Sequence, residues 1–344
     1  MRRVPSSIHT NKKINIIKIQ IVDYAIIRKT YSATFLKPGD KVALVSPAYW
    51  VPQEVTLQAA EVLKTWGLQP VIGLHTNSLN VDAYAGTADE RAVDLRWAFE
   101  DDSIKAIFCS RGGYGSMHLL DRVPTECFQQ HPKWLIGHGD ITMLLYTAVS
   151  KGMMCIHGPM AFQIVSNQEP ATSIMRDILF GTLPQYHVPT SIYNHCGHAE
   201  GILVGGNLSS YAAISGTKFK LPSDQDIILL IEEVEEPLHA IDRLFYMLRL
   251  QEDFTRVKGI IFGSFSSIKH DLQFGSAEQM LTAHLRDMDI PFCCGFPVGC
   301  NSCLPLIEGA SCSLDVNADS AVLTFNINGA VQPYDIEKSQ ILMR

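Results

Sequence analysis

From residue 38 onward, short apolar runs alternate with longer stretches in which apolar residues recur every three or four positions. Val42-Ala-Leu-Val-Ser46 reads as a short buried strand, and Val55 to Trp66 as an amphipathic helix that stops at Gly67. Val71-Ile-Gly-Leu74 predicts a second strand. Thr87-Ala-Asp-Glu90 has the residue types of a capping box, opening a helix that runs towards Phe99. Lys105–Cys109 and Trp134–Ile136 are further expected strands, each leading directly into a glycine-bearing turn. This alternation predicts a parallel sheet with helices on both faces, an α/β domain of flavodoxin or Rossmann type over residues 36–165.

The pattern changes over residues 166–200, a polar segment with Pro170, Pro184 and Pro189 and one helical repeat, Ser173 to Phe180. It is expected to be a linker. Beyond it lie "GILVGGNLSS", the apolar run Ile227–Ile231, and a helix with Ile241, Leu244, Phe245 and Leu248 on one face. The strand-like runs "GIIFGSF", "PFCCGFPVG" and "AVLTFNI" follow. They predict a second, smaller, β-rich α/β domain over residues 201–335.

Composition narrows the classes of function. A chain of 344 residues, 47% hydrophobic and 18% charged, can bury two cores. A net charge of -7 offers no basic surface for nucleic acid. Residues 1–35 differ, with seven basic residues against Asp23 alone; they are expected to be a basic extension. Lys18 and Asp23 interrupt its apolar stretch, which argues against a secretion signal, and the absence of any run of 18 apolar residues argues against a transmembrane helix. Nine scattered cysteines fit reduced thiols and a cytoplasmic location better than a disulfide framework.

Ligands of open α/β sheets bind at the carboxyl ends of the strands, so two turns are candidates for chemistry. "CSRGGYGS" at 109–116 has glycines that allow backbone N–H groups close to an anion, and Arg111 could fork onto a carboxylate. "LIGHGDITML" at 135–144 places a strand, a sharp turn and a helix in the order of a nucleophile elbow, with Gly139 at the apex. Neither GxGxxG opening a helix after a strand nor GxxxxGK[ST] occurs, so no nucleotide cofactor is expected. Cys300-x-x-Cys303 with Cys293 and Cys294, and His195, Cys196 and His198 in "NHCGH", lack a complete tetrahedral zinc set and are expected to be structural.

Taken in order, "SRGGYGS", "IGHGDIT", "HGPM", "GGNLSS", "IEEVEEPLHAIDRLFYML", "GIIFGSF" and "FPVGC…LPLIEGA" resemble the LD-carboxypeptidases and microcin C immunity peptidases over roughly residues 38 to 330. The resemblance implies a two-domain cytoplasmic serine peptidase, a homodimer, with its site between the domains. It also implies a muropeptide tetrapeptide that loses its terminal D-alanine, or an acylated peptide antibiotic, as ligand. Members use a Ser-Glu-His triad. Their serine position falls on Gly139, their glutamate on Glu232 and their histidine on Cys300. The resemblance further implies that backbone N–H groups near Gly113 and Asp140 form a remnant oxyanion hole, and that Arg111 meets the substrate carboxylate.

Two of these three positions lack the chemistry of the triad. A serine supplies an attacking Oγ and an imidazole carries its proton to the leaving amine. Glycine has no side chain, and a thiol is a poor base near neutrality. Impaired or lost hydrolysis is therefore expected. One alternative is a non-catalytic binding protein for a muropeptide-like ligand. Another is a hydrolase rebuilt around Cys300, although Glu232 beside it would raise rather than lower the thiol pKa. His138 is expected to be a satisfied core histidine, and Ser110, Ser116 and Thr142 are hydroxyls without an evident base.

Overall fold

In the computed structural model, residues 34–336 are described apart from 81, 167, 168, 222, 272 and 301, with residues 331–336 described as backbone only. All but the last two residues of the basic extension at 1–35 lie outside the described residues.

The first half alternates strands and helices: β1 Lys41–Val45, α1 Gln53–Thr65, β2 Gln69–Ile72, α2 Ala88–Glu100, β3 Ile104–Cys109, α3 Glu126–Gln130, β4 Trp134–Gly137, α4 Thr142–Ser150, β5 Cys155–His157 and α5 Ala161–Val165. The capping box forms as expected: the Thr87 N–H donates to Glu90 Oε2 at 2.7 Å and the Glu90 N–H donates to Thr87 Oγ1 at 3.2 Å. Strands β1 to β5 are parallel, in the order β5-β4-β3-β1-β2.

The second half runs α6 Ala171–Leu179, β6 Thr182–Pro189, β7 Gly197–Asn207, α7 Leu208–Ile214, β8 Ile227–Val234, α8 Leu238–Arg249, β9 Val257–Ser266, α9 Ala277–Ala283, β10 Phe292–Cys294, β11 Leu306–Glu308, β12 Ser311–Val316, β13 Ser320–Asn326 and β14 Val331–Ile336. Its mixed eight-stranded sheet has the order β10-β9-β8-β7-β12-β13-β6-β14. The segment expected to be a linker is instead part of the fold. Buried Ile174, Met175, Ile178 and Leu179 of α6 dock into the core, and β6 pairs antiparallel with β13. The polar residues of β6 alternate with buried Leu183, Tyr186 and Val188, a half-buried strand pattern that its two prolines obscure.

β11 crosses back to the first sheet and pairs antiparallel with β5, so the first sheet has six strands. On that sheet Val42, Leu44, Phe108, Trp134 and Ile136 face one way and Ala43, Val45, Ile107 and Leu135 the other, the period-two alternation of a doubly covered sheet. The first set shares one continuous core with Leu203, Leu230, Ile261 and Leu314 of the second sheet.

Candidate active site

The carboxyl ends of β3, β4 and β8 meet at a cavity of about 620 Å³, lined from the first half by Arg111–Tyr114, His138–Asp140 and Phe162, and from the second by Asn207, Ser209, Glu232–Glu236 and Cys300, among others. Gly139, Glu232 and Cys300 therefore share one space, together with Arg111, Gly113 and Asp140.

The elbow is built from the backbone upward. His138 is extended at the end of β4, and Gly139 turns the chain at φ +63°, starting one tight turn that leads into α4. A Cβ on Gly137 would lie 2.7 Å from Ile141 Cγ2, so packing forbids a side chain there. A Cβ on Gly139 would meet nothing within 4 Å. At the apex the restriction is thus conformational, since left-handed backbone costs a non-glycine residue about 1 kcal/mol or more.

Asp140 ties this elbow to the glycine loop after β3. The Ser116 N–H donates to Asp140 Oδ2 at 2.8 Å, and Ser116 Oγ donates to the Asp140 carbonyl at 2.6 Å. Burial raises the Asp140 carboxyl, and its bonds to Ser116 oppose that shift. Gly113, at φ +104°, passes so close to Tyr49 that a Cβ would stand 2.4 Å from its ring. Arg111 is exposed, its guanidinium 5.8 Å from the Tyr49 ring centroid, and no ion pair holds it among the described residues.

Across the cavity, the apolar run of β8 ends in Glu232-Glu233. Glu232 is 2% exposed and its Oε1 has no hydrogen-bond partner. Burial, with Glu233 adding repulsion, pushes its carboxyl up to about 8. The loop after β10 closes over it because Gly299, at φ +125°, has no side chain; a Cβ there would be 3.1 Å from Glu232 Oε2 and 2.3 Å from Ser264 Oγ. The loop leaves Cys300 exposed at the cavity. Partial enclosure of its sulfur, then Glu232 and Glu235, push the thiol up. That is the wrong direction for a thiolate nucleophile.

The other side chains weighed from the sequence are committed to structure. His138 is buried with Nε2 2.8 Å from Gln163 Oε1, and burial followed by nearby His157 lowers it to about 4. Ser110 Oγ donates to the Val45 carbonyl at 3.0 Å, and Thr142 Oγ1 accepts the Asn207 N–H at 3.2 Å, joining α4 to the end of β7. Cys293 and Cys294 enter different cores, Cys303 is buried, and His195 and His198 bond Ile290 O and Asp315. No group of three or more metal-type ligands assembles among the described residues.

Sequence reasoning missed Glu233. Its carboxylate accepts from Asn207 Nδ2 at 2.6 Å, from Ser209 Oγ at 2.6 Å and from the Ser209 and Val234 N–H groups, clamping the start of α7 to the end of β8. The signal was the doubled glutamate after an apolar run, which a buried strand end holds only with several donors nearby. His157 and Glu308 were missed as well. Both are fully buried, with His157 Nδ1 3.6 Å from Glu308 Oε1, and burial lowers the imidazole to about 4 while raising the carboxyl well above its ordinary range.

Comparison with known proteins bears on both walls of this cavity. A murein tetrapeptide carboxypeptidase of Pseudomonas aeruginosa is 30% identical over 286 residues, covering 79% of this chain and 92% of its own. The microcin C7 self-immunity protein MccF of Escherichia coli is 27% identical over 333 residues, covering 84% and 94%. The solved structure of muramoyltetrapeptide carboxypeptidase from Oxalobacter formigenes superposes with a TM-score of 0.74 at 24% identity, over 86% of this chain and all of that one. Residues 42–158, which supply the elbow and the glycine loop, match the LD-carboxypeptidase N-terminal domain, and residues 200–314, which supply Glu232 and Cys300, match the LD-carboxypeptidase C-terminal domain. With both walls of the cavity drawn from matched domains in the right order, the chain belongs to the LD-carboxypeptidase family.

Proposed function

We propose that this protein holds a muropeptide-like peptide in the cleft and that its ordinary L,D-amide hydrolysis is impaired or lost. The observation that carries the reading is Gly139: a left-handed apex, open on its Cβ side, in the same cavity as Glu232 and Cys300. In this reading the nucleophile position has kept its turn and lost its Oγ, and Cys300 stands where the base would. Glu232 alone has no imidazole to orient. The N–H groups of Gly113 and Asp140 and the guanidinium of Arg111 remain to bind an amide oxygen and a terminal carboxylate.

The raised thiol of Cys300 favours this reading over a hydrolase rebuilt on cysteine. Nine free cysteines support a reducing, cytoplasmic setting. Homodimerisation is part of the same proposal, and light scattering tests it. The central experiment measures tetrapeptide binding by calorimetry and D-alanine release by the same preparation. Binding with turnover no more than ~10³-fold above the uncatalysed rate fits the residual effect of binding and oxyanion contacts. Rapid turnover unaffected by Glu232→Gln would place the chemistry elsewhere, and rapid turnover abolished by thiol alkylation would assign it to cysteine.

A further inference from the structure

The loop that follows β10 borders two cavities. Cys300, at its far end, lines the cleft, whereas Gly295 and Pro297, at its start, line a second cavity of about 560 Å³ that shares no lining residue with the first. The other walls come from the end of β6, the connection that leads to β7, and the start of α9. Hydrogen bonds fasten these walls together. The His195 N–H donates to the Phe292 carbonyl at 3.0 Å, the Phe292 N–H donates to the His195 carbonyl at 3.2 Å, and the Cys294 N–H donates to Asn194 Oδ1 at 2.9 Å. Gly295 then turns the chain at φ +73°, and a Cβ there would meet nothing within 4 Å, so the space beside the turn is free.

The lining is apolar with one charge. Val188, Pro189, Cys294, Pro297 and the ring of Tyr193 supply the apolar surface. Burial, followed by Cys293 and Glu278, raises the Cys294 thiol, which keeps it neutral. The hydroxyls are already engaged: Ser276 Oγ accepts the Gln279 N–H at 3.1 Å, Ser191 Oγ accepts the Tyr193 N–H at 3.3 Å, and Thr190 Oγ1 accepts from Asn194 Nδ2 at 3.5 Å. Glu278 is the charged residue of the lining, with no Lys, Arg or His beside it there, and its carboxylate has no hydrogen bond or ion pair among the described residues.

We propose that this cavity is a second ligand site and that it takes a small organic cation: a primary ammonium seated on Glu278, carried on an apolar body that packs against Tyr193, Val188 and Pro297. A cavity of some hundreds of Å³ with an apolar lining and few convergent polar groups is the common form of a small-molecule site. The charge of the ligand follows from the lining. An anion would face Glu278 with no cation to offset it, and a sugar would find the hydroxyls engaged. An ammonium supplies donors to the free carboxylate, and a tyrosine ring bordering the same space favours a cation over a neutral group. The inference is independent of what the cleft binds.

Calorimetry on the full chain with 2-phenylethylamine and its neutral counterpart 2-phenylethanol tests it. The amine is expected to bind at least ~10-fold more tightly than the alcohol at low salt and neutral pH, as a hydrogen bond to a charged group allows, and the difference should shrink as ionic strength rises. In Glu278→Gln the difference should fall below about twofold, because the amide keeps the shape and removes the charge. The acids of the cleft offer the amine a competing place, and Glu235→Gln/Glu236→Gln separates the two by leaving the preference unchanged. Equal binding of amine and alcohol by the unmodified protein would overturn the proposal without need of any variant. A preference that survives Glu278→Gln, or one lost only in the cleft variant, would assign the amine to the cleft and overturn the proposal as well.

Discussion

At Gly139 the space for a side chain is present and only the backbone resists one, so repair of the site is a conformational matter. Gly139→Ser should lower unfolding free energy by about 1 kcal/mol from left-handed strain, measurable by urea denaturation. Gly137→Ser should cost more, because Ile141 already fills that space. Gly139→Ser with Cys300→His should restore measurable D-alanine release, and neither change alone should, because triad members act as a unit. A folded double variant that binds tetrapeptide without turnover would count against the assignment of those two positions. Glu232 makes a pH prediction. Its carboxyl rises from 4.5 to about 8 on folding, so the stability it contributes is complete below about pH 4.5 and is lost as pH climbs towards 8. Glu232→Gln should therefore gain on the unmodified protein across that window, by up to a few kcal/mol at pH 8.5. His138 and His157 act in the opposite sense. Lowered from 6.5 to about 4, they contribute fully above pH 6.5 and lose that contribution as pH falls towards 4.

At the scale of elements, the site depends on how two turns and one strand end are tied together. The glycine loop after β3 is held to the elbow through Ser116 and Asp140, and the start of α7 is held to the end of β8 through Glu233. Glu233→Ala would leave Asn207 Nδ2 and the Ser209 donors facing a buried void, and should destabilise by about 2 kcal/mol or more in chemical denaturation. Gly113→Ala brings a Cβ to 2.4 Å from the Tyr49 ring, so the loop must shift. Its expected signature is weakened tetrapeptide binding with a smaller change in melting temperature. A loss of melting temperature with binding unchanged would show that the loop only packs.

For the whole molecule, the relevant fact is that the two halves share one of their cores. β11 departs from the second half to complete the first sheet, and one apolar cluster includes residues from α1, α6 and both sheets. Thermal unfolding should therefore be a single transition, and a fragment comprising residues 36–165 should fail to fold, as its β5 edge and one face of its sheet would be exposed. Circular dichroism of the fragment and calorimetry of the full chain check both outcomes. Ile307→Asp, at a fully buried position of β11, should cost several kcal/mol and lower the melting temperature of the molecule as a unit.

What the sequence determined by itself is local. The strand–helix alternation to residue 150, the capping box at Thr87–Glu90, the buried run of β8 and the elbow turn at 135–144 follow from apolar period, capping chemistry and glycine placement, all of which act over a few residues. Tertiary structure decided what depends on distant partners. Polar, proline-bearing β6 is a strand because β13 offers it a ladder, and three-residue β11 exists because β5 has an open edge. Glu233 and the His157–Glu308 pair are invisible as sites in sequence, since the donors around Glu233 come from a segment 24 to 26 residues away and the burial that brings His157 and Glu308 to 3.6 Å exists only once distant strands pack. Motifs from both halves named the positions 139, 232 and 300; folding brought them to one cavity, because the carboxyl ends of the two sheets' strands face the same junction.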